Sequence, residues 1–252
     1  MSDDPDTRPA ADGDLTRRPA EEADPEERLK RQRDDLELLN QVMRHDIRND
    51  LQLVGAYAEL LDEHVDEAGK EYLDVIKRTT QSAVSLTTTV RDLAEVMLRE
   101  DAEPSRVSLD RVLSQQVEEV RSGYSEAVFT IEGSVPADEV VADEMLSSVF
   151  RNVLRNAVQH TDETPPKVTV SATVDEADGV AEVRIADNGP GIPADQRDEI
   201  FGKGEKGLDS PGAGIGLYLV RSLVEIYGGD VWIEDNEPKG AIFVVRLPLC
   251  EG

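Results

Sequence analysis

Cysteine is nearly missing from this chain of 252 residues. Cys250 is the only one, which excludes an internal disulfide and a cysteine-based zinc site. Aromatic residues make up 4%, so a core has to be built from Leu, Val, Ile and Ala within an apolar content of 38%. No run approaches the ~18 apolar residues that span a bilayer. The start, Met1-Ser2-Asp3-Asp4-Pro5-Asp6, lacks the apolar region of a signal peptide. These absences predict a cytoplasmic protein with no membrane insertion. Positive charge is scarce as well: the net charge is −27, and Arg far outnumbers Lys. Such a surface excludes nonspecific binding to nucleic acid or to an anionic membrane, both polyanions. Self-repulsion on this scale opposes a compact state unless salt screens it. Acidic excess with few Lys resembles the composition of proteins from organisms that hold molar salt in the cytoplasm, such as haloarchaea. It predicts a halophilic surface.

Large apolar residues are almost absent from residues 1–26, which cannot offset their ordering entropy and are expected to be disordered. Proline is absent from Glu27 to Val65, where Leu36, Leu39, Met43, Ile47, Leu51, Val54, Ala58, Leu61 and Val65 recur in steps of three or four. That is one face of a helix roughly 58 Å long at ~1.5 Å per residue. Asp66-Glu67-Ala68-Gly69 reads as a turn. A second stripe follows at Leu73, Ile76, Thr80, Ala83, Leu86, Val90, Leu93 and Met97. Residues 27–100 therefore read as an antiparallel helical hairpin. One hairpin cannot bury both stripes, whereas two form a four-helix bundle, so a homodimer is expected.

Pro104 ends the helical region, and residues 101–252 alternate between helix and strand patterns. Leu109 to Val120 reads as helix and Val128 to Ile131 as strand. Asp143 is placed to cap a helix through Leu146, Val149, Phe150, Val153, Leu154 and Ala157. Lys167–Val174 and Val180–Ile185 alternate as paired strands around the Asp178-Gly179 turn signal. Leu217 to Tyr227 reads as helix, and Val231–Glu234 with Ala241–Leu247 as a closing hairpin. The fold class is α+β: a dimerising helical hairpin followed by an α/β sandwich with a largely antiparallel sheet.

Four segments carry chemistry. In Arg44-His45-Asp46-Ile47-Arg48-Asn49-Asp50, His45 lies about 160° round the helix from Met43 and Ile47, so it points outward while they pack. An imidazole there is mostly neutral and nucleophilic at pH 7. Asp46 can accept the Nδ1 proton and leave Nε2 free to attack phosphorus. Asn49 is one turn on, on the same face. In Phe150-Arg151-Asn152-Val153-Leu154-Arg155-Asn156-Ala157-Val158-Gln159-His160, Asn152 and Asn156 share a helical face, and amide oxygens suit Mg²⁺. Asp187-Asn188-Gly189-Pro190-Gly191-Ile192-Pro193 follows a strand. A buried carboxylate there can accept a hydrogen bond from an adenine amino group. Gly212-Ala213-Gly214-Ile215-Gly216-Leu217 opens a helix, where backbone N–H groups and the dipole attract phosphate. Neither a Rossmann fingerprint nor a P-loop fits its spacing. Between the last two segments, Ile200 to Gly207 looks too Gly-rich to pack and reads as a lid, with Lys203 or Lys206 placed to touch a triphosphate.

Each segment alone has an ordinary structural explanation. Their order, closed by Gly228-Gly229-Asp230-Val231-Trp232, Gly240-Ala241-Ile242-Phe243 and Leu247-Pro248, resembles the two-component sensor histidine kinase family over residues 30 to 249. The resemblance implies a HisKA-type phosphoacceptor hairpin and a Bergerat-type GHKL ATP-binding domain. It implies ATP and Mg²⁺, with His45 as phosphoacceptor, Asp46 as its orienting base and Asn156 as the metal ligand. Asn152 helps at the phosphate end, and Asp187 reads adenine. Gly189, Gly191, Ile192, Gly212, Gly214, Gly216 and Leu217 shape the pocket. A response regulator receiver domain is the implied acceptor of the phosphoryl group, and Asn49 the group that orients water to remove it again.

Three features depart from the family: Asp50 where Pro is frequent, His160 where Tyr commonly meets the nucleotide, and a short lid. No sensory domain is seen before the hairpin, so a signal is expected to enter through a partner or through the N-terminal segment, or to be absent. Two rivals stay open, an anti-sigma-type serine kinase and a catalytically silent dimeric scaffold.

Overall fold

A computed structural model describes residues 47–98, 105–161, 163–202 and 215–250. The acidic segment 1–26, the first part of the hairpin with His45 and Asp46, Pro104, and Lys203, Lys206, Gly212 and Gly214 lie outside the described residues.

The hairpin is present. Helix α1 is described over 47–61 and passes through a 3-10 turn, Asp62–His64, to α2 (Glu67–Leu98). The connection is shorter than the sequence suggested, because Glu67, Ala68 and Gly69 are already helical. Asp66 is the reason: its Oδ1 accepts from Gly69 N–H at 2.9 Å while its carbonyl accepts from Lys70 N–H at 3.0 Å, the geometry of a helix N-cap. The apolar stripes are only partly covered within the chain. Ala58 and Leu73 are buried, but Ile47, Val54, Leu61, Ile76 and Leu86 stay between 42% and 50% exposed.

Beyond it come β1 (Ser105–Ser108), α3 (Leu109–Gly123), β2 (Val128–Glu132), β3 (Glu139–Ala142) and α4 (Leu146–Gln159). Then follow β4 (Lys167–Asp175), β5 (Val180–Asp187), α5 (Ile215–Ile226), β6 (Asp230–Asp235) and β7 (Ala241–Pro248). Five strands form one sheet in the order β2-β4-β5-β7-β6. Only β2–β4 is parallel, as expected of a largely antiparallel sheet. The side sheet β1–β3 was not anticipated; its strands are four residues long, too short for a period to show.

Strand alternation sets the core. Val168, Val170 and Ala172 of β4, Ala181, Val183 and Ile185 of β5, and Phe243, Val245 and Leu247 of β7 point to one face. They pack in one cluster with Leu113 and Val117 of α3, Phe150 and Leu154 of α4, and Leu219 and Leu223 of α5. Polar side chains cover the opposite face. Arg184 pairs with Glu234, which holds that carboxyl below its ordinary range, and Arg246 pairs with Glu182 while lying 4.8 Å over the Trp232 ring.

Asp143 does cap α4, from two residues further out than the N-cap position, Met145: its Oδ1 accepts from Met145 N–H at 2.8 Å, and its carbonyl from Leu146 N–H at 3.1 Å. Helix α5 begins at Ile215, two residues early. The supposed lid is anchored at its start, a correction to the expectation that it could not pack. Phe201 is 2% exposed within the core, and the Arg221 guanidinium lies 5.5 Å over its ring. One aromatic side chain supplies enough apolar area to fix its own turn, whatever the glycines after it do.

Candidate functional site: a nucleotide pocket at the end of the sheet

The period of β5 carries Asp187 inward. Ala181, Val183 and Ile185 precede it on the same face, so the carboxylate ends up in the core layer with 8% exposure. Its Oδ1 accepts from Gly189 N–H at 2.8 Å and from Ala241 N–H at 3.1 Å. Among the described residues both protein hydrogen bonds fall on that one oxygen, leaving Oδ2 for a ligand. Burial pushes the carboxyl above its ordinary value, and the two backbone donors and His160 pull against it; burial wins. A carboxylate made costly by burial, with one oxygen held and one open, suits a donor such as an exocyclic amino group.

The following loop lies against the end of α4. A Cβ on Gly189 would fall 3.2 Å from the carbonyl of His160, the exposed residue that ends the helix. Asn188 ties the two segments together: its Oδ1 accepts from Lys167 N–H at 2.8 Å and lies 3.3 Å from Thr161 Oγ1. Gly191 has φ +80° and faces the Gly240 carbonyl, while Ile192 packs on the core.

Asn152 and Asn156 project from the same helix one turn apart but have different surroundings. The Asn156 carboxamide makes no protein hydrogen bond among the described residues, so its oxygen is open to a hard cation. Asn152 is engaged. Its Nδ2 donates to Ser148 O at 2.7 Å, and its Oδ1 lies 3.2 Å from Thr89 Oγ1 and beside Gly216, where a Cβ would come within 2.9 Å. Leu217 is buried behind Gly216. Thus the structure brings Asn152 and Gly216 together, and Gly189, Asp187 and the end of α4. Asn49 is exposed on α1.

Sequence reasoning missed the contact of α2 with this domain. Asp92 of α2 is fully buried. Its Oδ1 accepts from Arg91 Nε and Nη2 at 3.0 and 2.8 Å, and its Oδ2 from Ser148 Oγ and Arg151 Nη2 at 2.7 and 2.6 Å. One helical turn earlier, Thr89 Oγ1 has a single proton to divide between Ser85 O at 3.1 Å and Asn152 Oδ1 at 3.2 Å. The available signal was polar residues, Thr89 and Asp92, near the stripe of α2; their partners lie some 60 residues away, beyond the reach of periodicity.

Among the described residues, no group of three or more His, Cys, Asp or Glu could hold a metal ion, and no helix is long and apolar enough to cross a membrane. A divalent cation at this pocket fits the donor set as one protein oxygen, that of Asn156, added to oxygens from the nucleotide and water.

Helices over one face of a mixed sheet, a buried acid at the end of a strand and an Asn-bearing helix beside it define an ATPase-type nucleotide domain, here joined to a helical hairpin. Residues 142–251 match the family described as "Histidine kinase-, DNA gyrase B-, and HSP90-like ATPase", and residues 35–98 match the "His Kinase A (phospho-acceptor) domain". The chain is 28% identical over 189 residues to the adaptive-response sensory kinase SasA of Synechococcus sp. (strain CC9311), covering 72% of this chain and 49% of that protein. It is 29% identical over 223 residues to the signal transduction histidine-protein kinase AfsQ2 of Streptomyces coelicolor, covering 82% and 40%. Among solved structures it resembles the mycobacterial sensor histidine kinase MprB, with a TM-score of 0.52 and 29% identity over 59% of this chain and 99% of that one. It also resembles histidine kinase ThkA in complex with response regulator protein TrrA, with a TM-score of 0.55 and 25% identity over 89% and 65%. The chain belongs to the two-component sensor histidine kinases. It spans about half the length of the curated relatives it matches.

Proposed function

We propose that this chain binds Mg-ATP, phosphorylates its own His45 and passes the phosphoryl group to an aspartate of a response regulator. The observation that carries the reading is Asp187, a buried carboxylate with one oxygen fixed by two backbone donors and the other open. The open oxygen accepts from the adenine amino group. Gly189, Gly191 and Ile192 shape the base end, with His160 beside it, and Gly216 and Leu217 begin the helix whose N-terminus faces the phosphates. Lys203, Lys206, Gly212 and Gly214 serve the triphosphate, and Asn156 holds Mg²⁺ with Asn152 at its side. The cation, when bound, offsets charge developing on the phosphate oxygens.

In the transfer, the Nε2 lone pair of His45 attacks the γ-phosphorus in line. The bond from that phosphorus to the β,γ-bridging oxygen breaks, and ADP leaves with the electron pair. Asp46 accepts the Nδ1–H hydrogen bond and stabilises the positive imidazole. Supporting the hairpin's part are its match to the phosphoacceptor domain across position 45 and the large apolar side chains left exposed on it, which a second copy would cover as a homodimer. Asn49, on the exposed face of α1, orients a water for dephosphorylating the regulator. A cytoplasmic location completes the reading.

Incubation with labelled Mg-ATP tests it. An acid-labile, base-stable phosphoryl group, lost in His45→Gln with ATP binding intact, is the expected result. An acid-stable phosphoserine points to the serine-kinase alternative, and absence of label from a folded, ATP-binding protein points to a silent scaffold. Asn49→Ala is expected to keep His45 labelling and prolong the regulator's phosphorylated lifetime; an unchanged lifetime removes Asn49 from that role.

A further inference from the structure

Asp187 stands where β5 runs out of sheet. The β5–β7 register ends at Ala186↔Ile242, one pair short of it. At the next step the β7 donor, Ala241 N–H, goes to the Asp187 side chain at 3.1 Å. The Asp187 main-chain carbonyl receives a side chain in turn: Asn236 Nδ2 donates to it at 2.7 Å. Only the nitrogen of that carboxamide can face a carbonyl, so the orientation of the amide is determined.

Asn236 opens the turn between β6 and β7, and its own N–H donates to Gly240 O at 3.1 Å, closing the turn. Gly240 has φ +121°, and a Cβ on it would lie 1.9 Å from the Asp187 carbonyl oxygen. The turn is therefore pressed backbone to backbone against Asp187. Two acceptors of one residue, its carbonyl and its carboxylate, meet the donors of this one turn, and a buried acceptor left unmet is costly. Asn236 satisfies the carbonyl, which leaves Ala241 N–H to the carboxylate.

We propose that Asn236 is a positioning residue for base recognition: by holding the Asp187 carbonyl it lets the turn fix Oδ1, and so aims Oδ2 at the amino group of the bound base. This rests on Asp187 reading adenine. Without the Asn236 donor, Ala241 N–H is drawn to the carbonyl, the carboxylate swings free, and selectivity for an amino-bearing base falls. The effect is specific to that amino group, because Asn236 touches the acid and not the phosphate end of the pocket.

The test uses the full chain and two nucleotides, ATP and purine riboside triphosphate, which lacks the exocyclic amino group. Wild type is expected to prefer ATP. Asn236→Ala, and Asn236→Asp, which keeps the shape and removes the donor, are expected to weaken ATP binding about tenfold, the scale of one hydrogen bond, with the analogue within about twofold of wild type. An equal loss for both nucleotides, or an unchanged preference in folded variants of both kinds, overturns the positioning role. Asp187→Asn separates the two layers. If wild type has no preference, or Asp187→Asn keeps it, the adenine-reader assignment itself fails. If Asp187→Asn abolishes the preference while both Asn236 variants retain it, only the role of Asn236 fails.

Discussion

The hairpin and the nucleotide domain treat their apolar side chains in opposite ways. In the domain, Leu113, Val117, Phe150, Leu154, Ile185, Leu219 and Leu247 are all at 0% exposure. In the hairpin, Leu53, Tyr57, Leu60 and Tyr72 are between 57% and 74% exposed. A sheet with helices on one face closes its core within one chain, whereas the hairpin has such a partner only where the end of α2 meets the domain. The domain can thus be complete as a monomer, and the hairpin needs a second layer. On the proposed reading, binding of nucleotide and self-association fall to separate parts of the chain.

The largest effect that can break this division is on assembly. Val54→Glu combined with Leu61→Glu, both at half-exposed stripe positions, is expected to convert a dimer to monomers in sedimentation while nucleotide affinity stays within about twofold. A persistent dimer would move the association surface off the hairpin stripe, and a parallel loss of ATP binding would join the two functions.

Next in size is Asp187→Asn. The amide oxygen can still take the two backbone N–H groups, but its NH2 faces the adenine amino group, donor against donor. Affinity is expected to fall roughly 30- to 160-fold, from about 2–3 kcal/mol for a lost charged hydrogen bond and an unmet donor. Stability moves the other way. The folded-state pKa of Asp187 is raised above its ordinary 3.8, so protonation favours the folded state. At pH 7 the ionised group opposes folding, and the substitution is neutral or stabilising; below pH ~3.8 that gain disappears. Calorimetric melting at pH 3.5 and pH 7 checks the sign, and a destabilised variant at pH 7 would contradict it.

Arg151→Ala sharpens the comparison at the contact between the two parts. It removes one of two guanidinium partners from buried Asp92, and Arg91 and Ser148 remain, so the cost is expected near the low end of the ~3–5 kcal/mol for breaking a buried pair. Asp92→Asn, whose NH2 must face a guanidinium donor, should cost at least as much as Arg151→Ala in chemical denaturation. The smallest expected effect is global: the melting temperature should rise by several degrees between low and molar KCl, following the charge of −27. A flat dependence would mean that the acidic surface is not a salt adaptation.

Most elements were legible because their patterns are local. The period of β5, the repeat in α4 and the Asp178-Gly179 turn each fit within a dozen residues, and the strands and helices lie where these predict. Asp187 was legible as a buried acid because it continues the inward set of its own strand. What escaped notice depends on distant partners. Nothing local to Asn236 announces that its amide meets the Asp187 carbonyl, 49 residues away. Likewise Asp92, read in isolation, is one more charge on an acidic helix. The short strands β1 and β3 escaped because four residues carry too little pattern.

The Thr89–Asn152 contact has a thermodynamic consequence. The same carboxamide that faces α2 stands one turn from Asn156, at the phosphate end of the proposed pocket. On the proposed reading, a ligand that takes the Asn152 oxygen would compete with Thr89 for it, and occupancy of the pocket would loosen the seating of α2. Linkage makes this reciprocal: twisting α2 away changes nucleotide affinity by the same factor as nucleotide changes the seating. Because the Thr89 proton is shared with Ser85, that factor is small, and the Asp92 cluster, which reaches the pocket through the Ser148 carbonyl on Asn152, holds the helix as well.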